Sequence, residues 1–375
     1  MTFDKEIEQN TWDDIARRIS EKTSEDVRSA LSSGTMDPGA ADIDRFISLV
    51  SPAADDSIEE IAQRAQLITE QRFGRTIGLY APMYLSNSCS NSCLYCSFNA
   101  ANPIARETLS VQQAVQEAKH LHDEGFRHIL LVSGEDLKEV SLDYLKEVVS
   151  NLRPLFDSIS IEIYPMDTDQ YRELAQSGVD GLIIYQETYN KSLYAQVHEA
   201  GKKTDYRWRI ETPERGGAAG FRRIGLGSLL GLDDWRTEAV HLAMHARYLM
   251  RRFWKSQVTI SFPRLRPAVG GFDPPRPVSD RDLVHMLTAL RVFLPDAGLI
   301  LSTRETKEFR DNMISLGVTT MSAGSCTQVG GYTGDAGSAG QFEIADHRSP
   351  EEVAETIKNI GYEPVWKDWD AAFIR

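Results

Sequence analysis

From Thr76 onward, short apolar runs alternate with amphipathic stretches, and the alternation repeats. The runs fall at 76–85, 128–133, 159–164, 181–186, 223–227, 258–262, 298–303 and 318–323. Such short continuous apolar runs predict strands buried on both faces. Helical periodicity fills most of the gaps, for example at 111–124, 143–152, 235–252 and 279–293. Strands alternating with helices predict a parallel sheet with right-handed crossovers, and eight such units make a (β/α)8 TIM-type barrel. A doubly wound open sheet is the competing arrangement. The barrel is expected over 76–325. An N-terminal helical extension precedes it over 1–75. There, Trp12 opens one apolar-periodic stretch, and Ser57 with Glu60 reads as the capping box of another. A C-terminal extension over 326–375 carries one more helix, at 350–360, packed on the barrel.

Chemistry in such a barrel gathers at the C-terminal ends of the strands. Those positions are unusually polar here. The first strand ends at Tyr84, the second in Ser133-Gly134-Glu135 and the third at Glu162 and Tyr164. The fourth ends at Gln186-Glu187, and the fifth runs into Gly227, Leu229, Gly231 and Asp234. The sixth leads to Arg264 and Arg266, the seventh to Thr303-Arg304-Glu305 and the eighth to Ser322. Core strands alone do not require carboxylates, guanidiniums and glycines on one rim. Ile161 and Ile163 flank Glu162 and point to the opposite face, so the acid is directed inward.

Composition narrows the partners. A chain of 375 residues that is 41% hydrophobic and 26% charged carries a sizeable globular core. A formal net charge of −14 argues against a nucleic-acid partner, which needs a basic face. No stretch approaches membrane-span length, and the N-terminus has no basic n-region followed by an apolar core. The expected location is the cytoplasm.

Three of the four cysteines, Cys89, Cys93 and Cys96, lie just beyond the first strand with spacing C-x3-C-x2-C. Thiolates gathered in a loop suit a soft metal centre. Three ligands to a four-iron cluster leave one iron open. The other readings of the loop are a structural zinc site, which usually needs a second knuckle that is absent here, and a disulfide, unusual without a secretion signal. Cys326 lies far down the chain and reads as a free thiol.

This loop resembles the cluster loop of the radical S-adenosylmethionine (SAM) enzymes. Further motifs sharpen the resemblance to their aromatic amino acid lyase branch, most closely the 2-iminoacetate synthase (ThiH-type tyrosine lyase) family of thiamine biosynthesis. They are Pro82-Met-Tyr84-Leu-Ser-Asn, Leu131-Val-Ser-Gly-Glu135, Tyr185-Gln-Glu-Thr-Tyr189, Ser261-Phe-Pro-Arg-Leu-Arg-Pro267, Leu301-Ser-Thr-Arg-Glu305, Gly330-Gly-Tyr332 and Val365-Trp-Lys-Asp-Trp-Asp370. The match runs from about Trp12 to the C-terminus.

The resemblance implies a [4Fe–4S] cluster on Cys89, Cys93 and Cys96, with SAM on the open iron as the source of a 5′-deoxyadenosyl radical. It implies that Ser133 and Glu135 meet the SAM amino group, with Ser133 replacing a family glycine. It further implies Glu162 for the ribose diol and Gly227, Leu229 and Gly231 beside the adenine. Arg209 is the candidate for the SAM carboxylate, with Arg207 as the neighbouring option. Arg304 is implied to grip the carboxylate of L-tyrosine, with Tyr84 and Ser322 beside its amino and carboxylate groups; a salt bridge to Glu305 or another rim acid is the plain alternative for Arg304. Ser261, Arg264 and Arg266 shape the sixth-strand side, with structural ion pairs as the alternative role of the two arginines. The implied reaction is Cα–Cβ cleavage of L-tyrosine to 2-iminoacetate and p-cresol. The implied partners are a thiazole synthase (ThiG) and an electron donor such as flavodoxin or ferredoxin. Alternatives are tryptophan as substrate, a hydrogenase-maturation-type tyrosine lyase, a non-catalytic Fe–S sensor and a zinc-stabilised module.

Overall fold

The structure, a computed structural model, describes residues 2–32, 42–334 and 337–370. Eight parallel strands form the barrel: β1 (Thr76–Ser86), β3 (His128–Ser133), β4 (Ser158–Glu162), β5 (Gly181–Glu187), β7 (Arg223–Ser228), β8 (Gln257–Ser261), β9 (Gly298–Leu301) and β10 (Thr320–Ser322). Closure comes from β10, which pairs with β9 on one side and with β1 on the other. The open doubly wound sheet is thereby excluded. Two short strands, β2 (Ser92–Cys93) and β6 (His198–Ala200), make a separate antiparallel ribbon, and β11 (Glu363–Val365) runs parallel to the first residues of β1. Neither feature is visible as an apolar run, because both are too short to repeat a pattern.

Local chemistry sets where the helices begin. Ser110 and Gln113 form a capping box for the helix Val111–Asp123, and Ser279 and Asp282 do so for Asp280–Phe293. The hydroxyl of Ser141 and the carboxylate of Asp234 accept the first free amides of Leu142–Leu152 and Trp235–Arg252. Each such cap stabilises its helix by about 1 kcal/mol. The box expected at Ser57 and Glu60 does not form. Residues Pro52–Ser57 already turn as a 3-10 helix, so Ser57 makes no capping bond to the helix Ile58–Phe73.

The helix Trp235–Arg252 is buried on most of its circumference because the N-terminal helices Phe3–Gln9 and Trp12–Ser20 cover its outer face. Phe3 stacks on His245 with ring centroids 4.0 Å apart, and Trp12 stacks on His241 at 5.6 Å. At the opposite end of the chain, Trp366 follows β11 and packs edge-on against Phe126.

Between Gly337 and Ser349 the chain crosses the C-terminal rim of the barrel. Its backbone bonds to four separate loops: Ser97 N–H donates to Gln341 O, Gln341 N–H to Thr327 O, Glu343 N–H to Pro267 O and Ala345 N–H to Thr303 O. A buried ionic group pins the segment. Arg310 is fully buried and bonds the Asp346 carboxylate and the Ser322 carbonyl, while Arg348 adds a 2.6 Å bond to Asp346 and a 2.8 Å bond to Asp311. Burial works to raise the Asp346 carboxyl, but the hydrogen bond from Arg348 and the Arg310 guanidinium outweigh it and hold the group at about 2.

A carboxyl depressed in the folded state stabilises the fold above its unfolded value, about 3.9, and loses that contribution as pH falls towards 2. Asp346→Asn leaves Arg310 buried without its counter-charge and is expected to cost about 3–5 kcal/mol near neutral pH. In urea unfolding, the gap between wild type and variant should narrow as pH falls from 4.5 towards 2.5. A gap independent of pH would show that the pair does not carry this stability.

Candidate active site and cluster-binding cavity

The cysteine loop is held by its backbone and by short side chains. The carbonyl oxygen of Ser88 lies where a side chain at 134 would stand: a Cβ there would be 2.2 Å from it. Gly134 is therefore needed for the loop to lie against the end of β3. Glu135 N–H donates to Cys89 Sγ at 3.4 Å, and the Glu135 carbonyl accepts from Ser90 N–H at 2.9 Å. Asn91 Nδ2 donates to Glu135 Oε2 at 2.7 Å, and its Oδ1 accepts Lys203 N–H at 2.9 Å. Beyond Cys93, the Tyr95 hydroxyl meets His198 Nε2 at 2.7 Å while His198 Nδ1 contacts Tyr194 O at 2.8 Å. Burial first, then Lys203, depresses His198 to about 3. The ring is thus neutral, donating from Nδ1 and accepting from Tyr95 at Nε2.

Two cavities meet at the barrel mouth. One, of about 930 Å³ and open to solvent, is lined by Cys89, Cys93 and Cys96 together with Glu135, Lys203 and Arg209. The other, of about 560 Å³, descends between the strands and is lined by Tyr80, Tyr84, Tyr185, Ser261, Ser322 and Thr303 among others. They share a wall formed by Val132, Glu162, Tyr185, Arg304, Gln341 and Phe342.

Charge on this wall is unevenly matched. Burial raises Glu162 to about 7 despite Arg304 nearby, and Glu187 adds to the rise. Glu187 moves the other way: burial works to raise it, but Lys203 and Arg209 hold it low. Lys203 Nζ lies 2.6 Å and Arg209 Nη2 3.4 Å from Glu187 Oε1. Glu187 is also the one non-glycine with positive φ (70°) among the described residues, a strained conformation kept where surroundings enforce it. Arg304 makes no salt bridge among the described residues. Its guanidinium lies 3.3 Å over the Phe342 ring and reaches Arg264 O at 3.5 Å. Glu305, its sequence neighbour, is bound instead by Arg264, at 3.1 and 3.0 Å from Nε to the two carboxylate oxygens, and Arg264 also meets Asp280 at 2.7 Å.

Comparison with known proteins places this geometry. Residues 83–243 match the Radical SAM superfamily, and residues 261–363 match the Biotin and Thiamin Synthesis associated domain. The chain is 44% identical over 371 residues to the 2-iminoacetate synthase of Salmonella typhimurium (strain LT2), covering 99% of this chain and 97% of that one. The 2-iminoacetate synthase of Escherichia coli (strain K12) matches at the same identity and coverage. This chain belongs to the 2-iminoacetate synthase family of radical SAM enzymes. Among solved structures, the FeFe-hydrogenase maturase HydG from Carboxydothermus hydrogenoformans aligns with TM-score 0.84 at 32% identity, over 98% of this chain and 82% of that chain.

Radical SAM enzymes use a [4Fe–4S] cluster and SAM, and the donor set here fits the cluster. Three thiols line one cavity, the donor set that three irons of a four-iron cluster would take. Burial pushes the Cys93 thiol up to about 12 and raises Cys96 as well, so a bound cationic iron centre would supply the charge that favours their thiolates. Cys326 lines neither cavity; its Sγ lies 3.9 Å from Gln328 Oε1.

Most residues that the radical SAM resemblance singled out fall on one or other cavity. Ser133, Glu135, Arg209 and Leu229 line the first, and Tyr84, Ser261 and Ser322 the second; Glu162 and Arg304 line both. The Ser133 hydroxyl and the Nε of Arg266, also on the first cavity, are buried with no hydrogen-bond partner among the described residues. Gly227 and Gly231 line neither. A Cβ at Gly227 would stand 2.6 Å from the Tyr185 ring, so that glycine supports the wall from behind. Arg207 is exposed and pairs with Glu211, which removes it as an alternative to Arg209. The salt-bridge alternative for Arg304 fails because Arg264 occupies Glu305 and no other rim acid pairs with Arg304 among the described residues, and Arg264 takes the structural role that was its own alternative.

Lys203, Tyr95, Gln341 and Phe342 were missed. Tyr95, as the aromatic before the last cysteine, carried a signal; Lys203 sits in a polar loop, and Gln341 and Phe342 belong to no periodic element.

Gly134→Ala forces Ser88 or the strand end to move. Reconstituted iron per chain should fall roughly tenfold, the scale seen when groups supporting metal ligands are lost, with unchanged circular dichroism. Full iron loading in this variant would mean that the close approach does not position the loop.

Proposed function

We infer that the protein is a radical SAM lyase that cleaves the Cα–Cβ bond of L-tyrosine to 2-iminoacetate (dehydroglycine) and p-cresol, supplying the thiazole moiety of thiamine. Family membership supports the activity. The observation that carries the site assignment is the shared wall: a thiol-lined cavity and a tyrosine- and serine-lined cavity meet at Arg304 and Glu162. A bound [4Fe–4S] cluster and SAM supply a 5′-deoxyadenosyl radical, with 5′-deoxyadenosine and methionine as the products of SAM.

The chain's own residues then orient and enclose. Arg304, stacked on Phe342 and without a salt bridge among the described residues, is preorganised to grip the amino acid carboxylate bidentately. Tyr84 and Ser322 flank it, with the Ser322 hydroxyl accepting Thr303 N–H at 3.1 Å. Burial keeps the Tyr80, Tyr84 and Tyr185 phenols protonated, so all three remain hydrogen-bond donors. On the other side, Glu162 accepts the ribose hydroxyls and Glu135 and Ser133 meet the SAM amino group. Arg209 takes the SAM carboxylate while Glu187 and the Tyr185 carbonyl hold it. The crossing segment around Gln341 and Phe342 walls both cavities at their junction. We also propose that a thiazole synthase receives the iminoacetate, which hydrolyses readily in water, and that flavodoxin or ferredoxin delivers the electron.

The likeness to HydG keeps a hydrogenase-maturation-type lyase as the second reading. Product analysis separates the two: p-cresol and glyoxylate without cyanide are expected from tyrosine.

Arg304→Ala is expected to lose about 3 kcal/mol of tyrosine binding, roughly 100-fold, with cluster content intact. Unchanged affinity would remove Arg304 from the substrate site. Glu162 must be ionised to accept both ribose hydroxyls. With its folded value at about 7, SAM affinity should weaken as pH drops below 7 and be restored above it. Equilibrium dialysis between pH 6 and 8.5 is expected to show this dependence in wild type and to lose it in Glu162→Gln.

A further inference from the structure

Gln341 belongs to neither strand nor helix, yet its side chain lines both cavities. Its two amide atoms face opposite ways. Oε1 accepts from the Tyr84 hydroxyl at 2.8 Å in the strand-lined cavity, and Nε2 donates to Cys96 Sγ at 3.9 Å in the thiol-lined one. The backbone of the same residue is tied on both sides, accepting from Ser97 N–H at 3.3 Å and donating to Thr327 O at 3.2 Å. One carboxamide thus spans the distance between a phenol beside the substrate and a ligand sulfur. The next residue, Phe342, carries the guanidinium of Arg304.

We propose that Gln341 is a positioning residue that tunes the iron–sulfur cluster and makes its electron affinity depend on tyrosine occupancy. This rests on the reading of Cys89, Cys93 and Cys96 as cluster ligands. An N–H donor to a ligand sulfur stabilises the more electron-rich, reduced state and raises the reduction potential. An amino acid gripped by Arg304 competes for the Tyr84 hydroxyl that now holds Oε1. Losing or reorienting that bond frees the carboxamide to turn, which changes the N–H contact at Cys96. Electron uptake is thereby linked to the occupancy of the substrate cavity. The Tyr84–Gln341 pair is the element that both sites bias.

The test uses anaerobically reconstituted full-length protein as wild type, Gln341→Leu and Gln341→Glu. The midpoint potential is read by EPR-monitored redox titration, with and without L-tyrosine. Both variants are expected at more negative potentials than wild type, with Gln341→Glu the lowest because an ionised carboxylate adds charge beside the sulfur. Tyrosine is expected to shift the wild-type potential and to leave that of each variant unmoved. Equal potentials in the three proteins, or the same tyrosine response in all of them, would overturn the proposal. Iron content and visible absorption record loading separately. Gln341→Glu is isosteric and keeps the backbone bonds to Ser97 and Thr327, so loss of the cluster from both variants assigns Gln341 to holding the loop alone and overturns the proposal too. A wild-type protein that assembles no [4Fe–4S] cluster refutes the functional reading instead.

Discussion

The bare α-carbon of Gly134 is what lets the cysteine loop and the barrel become one body. With a Cβ only 2.2 Å from the Ser88 carbonyl, any larger residue would prise the loop from the strand end. Because that space is left open, the backbone of Glu135 reaches Cys89 and Ser90, and its carboxylate takes Asn91. The thiols inherit the stiffness of eight closed strands instead of the freedom of a surface loop. The distance between cluster and substrate, on which selective hydrogen abstraction depends, then follows from the barrel frame.

Electrostatics divides the mouth into two characters. On the thiol side, Lys203, Glu187 and Arg209 form a tight buried group in which each charge has a partner. On the shared wall, Arg304 makes no salt bridge among the described residues, and burial raises Glu162 to about 7. The pairing of Glu305 with Arg264 is what frees Arg304. Adjacent residues at a strand end point in different directions, so the nearest carboxylate in sequence is not the nearest in space.

The barrel and most of its rim were legible because they rest on periodicity and strand ends. The eight apolar runs differ from the observed strands by only a few residues at their ends, and reading the C-terminal end of each run picked out Glu135, Glu162, Arg304 and Ser322. What escaped has no period. Residues 341–346 carry no helix or strand and are recognised only through bonds to Ser97, Pro267, Thr303 and Thr327, which are distant in sequence. Lys203 and His198 are similar: their importance comes from the β2–β6 ribbon, two and three residues long. Ser57 shows the converse, a correct local motif overruled by the turn that precedes it.

The crossing segment also sets an order of events during synthesis. Residues 341–346 leave the ribosome after every barrel strand, and domains fold as their parts emerge. Until then the thiols look out through an unroofed mouth, reachable by whatever delivers iron and sulfide. Once Asp346 docks on Arg310, that doorway narrows. The roof is therefore the last part of the mouth to be made, although the thiol-lined cavity stays open to solvent in the finished fold.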